Sequence, residues 1–169
     1  MIFERKVSKL FRLNDDNWMK HANPISVWTR YSVLPVIVTA FWSRLWIGWW
    51  CLIPGVLSIL WMFFNPIVFK KPHSTMNWAS KSVLGEQIFL NRDKVDIPDI
   101  HKTPLYSILN SISFVGMGLA IWSIIYYSIW GAVFGTSLAY LGKSWYLDRM
   151  VWLYESMKTM HDEYKSWEY

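Results

Sequence analysis

The sequence predicts an all-α integral membrane protein with four crossings arranged as two hairpins, and three observations carry that prediction. Hydrophobic residues make up 53% and aromatics 18% of the 169 residues, with a mean hydropathy of +0.17. That is more apolar surface than a soluble domain of this size needs. Two long blocks are almost uncharged: Arg44 is the only charge from Tyr31 to Phe64, and there is none from Leu105 to Gly142. Finally, all but one of the seventeen Lys and Arg residues lie outside these blocks. The chain reads as a single membrane domain, 1–169, in five stretches: an N-terminal interfacial region (1–23), a transmembrane hairpin (24–64), a cytoplasmic segment (65–104), a second hairpin (105–142) and a cytoplasmic helix (143–169).

The first stretch, MIFERKVSKLFRL, is basic but lacks the apolar core of a cleavable signal peptide. Phe3, Val7, Leu10 and Phe11 share one helical face, and Arg5, Lys6, Lys9 and Arg12 occupy the rest. Such a helix lies on an anionic leaflet or docks on the protein itself.

Each uncharged block exceeds the roughly 20 residues of one crossing, so each fits two crossings joined by a tight turn. In the first block one helix starts near Ile25 and a second runs from about Trp46 to Phe64, which places Arg44 at the turn. A charge at the bilayer centre costs at least ~3 kcal/mol, whereas at a turn Arg44 reaches headgroups at little cost. Trp42, Trp46, Trp49 and Trp50 surround it, and Tyr126, Tyr127 and Trp130 mark the turn of the second block. Aromatic residues of this kind concentrate at membrane boundaries.

Sidedness follows from the basic residues. Six precede the first crossing (Arg5 to Arg30), six lie in the central segment (Lys70 to Lys102), four follow the last crossing (Lys143 to Lys165), and only Arg44 remains for the other face. The positive-inside rule then puts both termini and the central segment in the cytoplasm of a multi-pass cell-membrane protein. The net charge of +5 finds its partner in anionic lipids of that leaflet rather than in nucleic acid. The central segment carries an amphipathic helix from about Met76 to Leu90, capped by Ser74 or Thr75, with Trp78, Ala79, Val83 and Leu90 on its apolar face. It is expected to lie flat under the bundle.

The last crossing holds the sharpest pattern. Gly131, Gly135, Ala139, Gly142, Tyr146, Met150, Leu153, Met157, Met160 and Tyr164 recur at helical spacing and form one continuous face. Its membrane half is small, including the GxxxG form GAVFG, which lets another helix approach closely, and its cytoplasmic half resembles a coiled-coil seam. Ser113, Gly116, Ala120 and Ser123 offer a matching face on the third crossing. The last twenty residues, read as a rod of roughly 30 Å, must bury their seam on the central segment or on another subunit. Lys158 and Asp162 are spaced to pair on its outer side.

Several chemistries lack their residues. His21, His73, His101 and His161 stand singly rather than in the clustered boxes of a di-iron site, and the blocks hold no histidine for haem. Neither block holds a carboxylate for proton-coupled transport, and Cys51 alone makes no redox pair. No cofactor or metal is indicated. The candidate catalytic groups are polar residues expected at the cytoplasmic face: His21, Lys81, Glu86, Asp148 and Arg149, with Asn23, Lys143 and Glu155 nearby, able in principle to act as acid and base on a lipid headgroup. The competing reading is structural, with Asp148 and Arg149 pinning the central segment to the fourth crossing.

The segments HANPISVWTR (21–30), NWASKSVLGEQIFLNR (77–92) and YLGKSWYLDRMVWLYE (140–155) resemble signatures of a family of small prokaryotic integral membrane proteins with no assigned function. The resemblance implies membrane location and polar residues clustered on one face. The function expected first is a scaffold or subunit of a membrane assembly, with another copy or a membrane complex as partner. An enzyme acting on a lipid or isoprenoid substrate at the cytoplasmic leaflet is the alternative, and an oligomeric transporter or pore is third.

Overall fold

The computed structural model describes residues 15–169, and the interfacial helix expected over Phe3 to Arg12 lies outside the described residues. Among the described residues every regular element is helical and there is no strand. The helices are α1 (Asp15–His21), α2 (Pro24–Tyr31), α3 (Val33–Trp42), α4 (Arg44–Ile47), α5 (Leu52–Val68), α6 (Trp78–Leu90), α7 (Leu105–Tyr126), α8 (Ile129–Met160) and α9 (Asp162–Lys165), with short 3₁₀ turns at Gly48–Cys51 and Asp99–His101. Two stretches, Pro24–Asn65 and Asp99–Tyr126, are long and apolar enough to cross a membrane. That is two rather than the four expected. Over its first half α8 turns Gly135, Ala139 and Gly142 toward α7, and the glycines there add no hydropathy.

The chain divides into two compact units. One comprises Thr29–Phe63 and Leu105–Tyr146, and the other Met1–Trp28, Phe64–Pro104 and Leu147–Tyr169. We call them the apolar and the polar unit.

In the apolar unit α7 and α8 meet backbone to backbone. A methyl group at Gly116 would lie 2.3 Å from the Ala139 nitrogen, one at Gly135 would lie 2.5 Å from the Ala120 nitrogen, and one at Gly142 would lie 2.7 Å from the Ser113 nitrogen. Ser113 Oγ donates to the Ala139 carbonyl at 3.0 Å across the same contact. The small faces noted on the two helices therefore pack on each other within this chain. In the first hairpin the Phe41 ring covers Gly55, while the second straight helix starts at Leu52 rather than Trp46. Residues 43–51 are taken up by α4 and the 3₁₀ turn, where Gly48 adopts a left-handed φ of 55°. The turn between α7 and α8 falls at Tyr127–Ser128, and Trp42 packs edge-on against Tyr127 at 6.1 Å.

The polar unit corrects three expectations. The helix cap is Asn77, whose side chain accepts from the Ser80 amide, so α6 starts at Trp78. Next, α6 is not a flat amphipathic helix with one wet side: Ala79, Ser80, Ser82, Val83, Leu84, Gly85, Gln87, Ile88 and Phe89 are all buried. Small residues at 79, 80, 82 and 85 let neighbours close in from several directions. A methyl at Gly85 would come within 1.9 Å of the Met150 carbonyl oxygen, which shows how tightly α6 lies on α8. The seam residues Tyr146, Met150, Leu153 and Met157 are buried, the last three completely, and Met160 is 61% exposed. The burial of Met150, Leu153 and Met157 arises within this chain, with α6 against Met150, and needs no further subunit.

The third correction concerns the C-terminal rod, which does not continue to residue 169. α8 ends at Met160, His161 is extended at φ −136°, and α9 folds back with Tyr164 buried. The last residue is held by Thr75, whose amide donates to the Tyr169 carbonyl oxygen at 2.9 Å and whose hydroxyl accepts from the Tyr169 amide.

Two substitution pairs test this packing. Gly118 has open space around it where Gly116 meets backbone. Gly116→Ala should therefore destabilise by about 1 to 3 kcal/mol, while Gly118→Ala is neutral or stabilises by up to about 1 kcal/mol; thermal melts of the detergent-solubilised protein read the difference. Met157→Glu buries a lone carboxylate and should cost about 3 to 5 kcal/mol, against about 0.5 kcal/mol or less for Met160→Glu. Equal tolerance of the two Met variants by the same assay would contradict the covered seam.

Candidate functional site in the polar unit

Where α6 and α8 run against each other, four charged side chains close into a ring of alternating sign. Lys81 Nζ lies 2.6 Å from Glu155 Oε1 and 3.1 Å from Glu168 Oε1, and Lys158 Nζ lies 2.7 Å from Glu155 Oε2 and 2.8 Å from Glu168 Oε2. The spacing of Glu155 and Lys158, three apart on α8, is local, but Lys81 comes from α6 and Glu168 from the folded-back tail. The tail reaches the ring because Thr75 donates its hydroxyl to the Trp167 carbonyl at 2.7 Å. The Tyr154 hydroxyl donates to the Tyr164 carbonyl at 3.2 Å. Lys158 therefore pairs with Glu155 and Glu168, where local spacing pointed to Asp162.

The electrostatics follow from the pairing. Hydrogen bonding to Glu155 outweighs desolvation and raises both lysines above their ordinary value. Burial pushes Glu155 up, but its bonds from Lys158 and Lys81 win and hold it low; Glu168 is lowered chiefly by its bond from Lys158. Tyr154, fully buried beside them, is pushed up to about 12, mainly by burial. A lysine working as a base near neutrality needs its pKa lowered, so Lys81 is tuned in the opposite direction to catalysis.

The other candidates lie on α1, α6 and α8. His21 ends α1 with its ring edge-on to Trp18 at 5.6 Å, and Glu86 is half-buried on α6. Asp148 accepts from Trp78 Nε1 at 3.4 Å and lies 3.0 Å from Arg149 Nη2. Asp148 thus meets α6 through the Trp78 indole and pairs with Arg149 on its own helix, where an ion pair with the central segment was expected. The Arg149 guanidinium sits 5.0 Å from the Trp152 ring centre, and its Nε is buried without a hydrogen-bond partner. His101, absent from the sequence-based candidates, is buried beside them, 3.1 Å from Ser156 Oγ and edge-on to Trp152. Burial, then the Arg149 charge, lowers its pKa. Only its position just before α7 was visible in the sequence, and that carries no signal of burial.

A cleft of about 540 Å³ opens elsewhere in this unit, lined by Gln87, Asn91, Lys94, Glu163, Tyr164 and Trp167 among others. Gln87, only 7% exposed, forms part of its lining. None of His21, Lys81, Glu86, Asp148 or Arg149 lines the cleft. Among the described residues no three His, Cys, Asp or Glu side chains gather as metal ligands.

Together these features define a small all-helical protein with a closed, ion-paired polar unit and a second unit clad in apolar side chains. The chain belongs to a family of unknown function, DUF6653, whose match covers residues 2–166. No curated protein and no solved structure matches it.

The ring gives a pH dependence with a definite sign. The lowered carboxylates contribute stability above their ordinary value of 4.5, lost as pH falls through their depressed values; the raised lysines contribute below 10.5, lost as pH rises past it. Glu155→Gln with Glu168→Gln should cost about 1 to 2 kcal/mol at neutral pH, given the partial exposure of the pairs, and flatten the loss of thermal stability below about pH 4.5. The loss that begins near His101's ordinary value of 6.5 should persist in the double variant. Identical acid limbs in wild type and variant would show that the ring does not stabilise the fold.

Proposed function

We propose that this is an integral membrane protein with four crossings, both termini and the central segment cytoplasmic, serving as a scaffold or subunit of a membrane assembly. The observation that carries the membrane reading is the exterior of the apolar unit. An apolar helix in the core of a soluble protein is mostly buried, whereas only 11% and 22% of the two most apolar windows here is buried. Pro24–Asn65, at 42 residues, is about twice the length of one crossing. α8 turns Val133, Phe134 and Leu141 outward while its small residues face α7, which supports a fourth crossing. Trp46, Trp49, Trp50 and Trp130 stand exposed at the two turns, as residues at a headgroup boundary do.

A scaffold is favoured over an enzyme because Lys81, Glu155 and Asp148 each spend their polar atoms on holding α6, α8 and the tail together. With Met150, Leu153 and Met157 covered, a protein partner docks on other parts of the polar unit, among which exposed Met160 is the remaining seam residue. The cleft beside Gln87 supports a second reading, a site for a small ligand. In a Cys51-free background, cysteines at positions 44 or 128 should react with an impermeant reagent added outside cells, and one at position 93 should not. Labelling of position 93 from outside would overturn the topology. Native mass spectrometry in mild detergent should give a mass above that of the single 20.1 kDa chain; a lone chain throughout would count against the assembly role.

A further inference from the structure

In the apolar unit α3 and the start of α5 leave an open groove of about 440 Å³, lined by Pro35, Val36, Thr39, Ala40, Ser43 and Pro54. Its two hydroxyls are already committed: Thr39 donates to the Pro35 carbonyl at 2.8 Å and Ser43 to the Ala40 carbonyl at 2.6 Å. The groove therefore presents an apolar surface. Arg44 follows Ser43 directly. Its Nε donates to the Tyr127 hydroxyl at 2.7 Å, and its guanidinium lies 5.0 Å from that ring's centre. Of the five guanidinium N–H groups, four remain, and Arg44 makes no ion pair among the described residues. Tyr127 holds Arg44 from a left-handed backbone, φ 54°. An aromatic side chain rarely adopts that region, and such strain persists where the surroundings hold it in place.

We propose that the groove and Arg44 form a binding site for one membrane phospholipid, with the phosphate on the free edge of the guanidinium and an acyl chain along the groove. This rests on the membrane reading. A guanidinium with an oriented, unpaired edge matches a phosphate bidentately. A second copy of the chain packed in the groove would cover its apolar wall and leave the charge uncompensated. A phospholipid supplies the chain and the anion in one molecule. Exposed Trp46, Trp49 and Trp50 in the same turn are placed where glycerol and headgroup would lie. Tyr127 is a positioning residue in this site, since it acts by aiming Arg44.

The test uses the full chain in mild detergent, with bound lipid read by native mass spectrometry. Phosphatidylglycerol and phosphatidylcholine should both bind, because both carry the phosphate, and diacylglycerol should bind about tenfold more weakly. Glycerol 3-phosphate, an anion without chains, should not bind. Arg44→Gln should weaken phospholipid binding about tenfold and leave diacylglycerol binding unchanged, while helicity and melting temperature stay near wild type. Tyr127→Phe, which keeps the charge and removes its anchor, should weaken it severalfold, and Thr39→Phe should fill the groove and weaken phospholipid and diacylglycerol alike. Equal phospholipid binding by wild type, Arg44→Gln and Thr39→Phe would overturn the site, as would glycerol 3-phosphate binding as tightly as the lipids. Wild-type protein that stays monodisperse in buffer without detergent would overturn the membrane reading itself.

Discussion

The packing of both units rests on how closely other backbone can approach α8. In water or in lipid, two helices with ordinary side chains between them are held 8 to 10 Å apart, and only small residues allow nearer contact. Here Gly116, Gly135 and Gly142 remove the side chains between α7 and α8, and Gly85 removes the one between α6 and Met150. The same helix therefore forms a close contact in each unit. In an apolar surrounding this matters doubly, because no hydrophobic force draws lipid-exposed helices together and close van der Waals contact must do so. The outward side chains of α8 are then free to differ, apolar along its first half and charged along its second.

That contact also determines what the polar residues do. With α6 pressed onto α8, Lys81 falls beside Glu155, and the folded-back tail brings Glu168 against both lysines. A lone half-buried lysine or carboxylate would be a reactive group or a liability; in a closed ring each charge is neutralised by two neighbours, and both kinds of group are tuned further toward their charged forms. The ring's chemistry is that of a clamp that joins the central segment, α8 and the C-terminal residues.

Arg44 illustrates the same logic in the apolar unit. It is the one cation within the uncharged blocks, and a single hydrogen bond from Nε to Tyr127 orients it without satisfying the guanidinium. Clamped cations in the polar unit and an oriented, unpaired cation in the apolar unit make different chemical statements. The first holds the chain together; the second leaves capacity for an anion from outside.

Helical class, the two uncharged blocks and the position of Arg44 between the longer helices α3 and α5 were legible in the sequence, because charge is costly in apolar surroundings and helical period leaves a record along the chain. The small faces of α7 and α8 were legible for the same reason, since close packing requires Gly, Ala or Ser at regular spacing. The polar unit was not legible in this way. Serine, alanine and glycine at 79, 80, 82 and 85 read as a weakly amphipathic surface helix, and only tertiary contact reveals them as positions that admit neighbours on several sides. Lys158 and Asp162 have the spacing of a local pair, yet the bend at His161 gives Lys158 to Glu168, ten residues on. The sequence alone determined where charge is excluded and which helix faces are small. The tertiary structure decided which segment covers the seam and which charges meet, because those contacts join residues far apart in the chain, and no local period encodes such pairing.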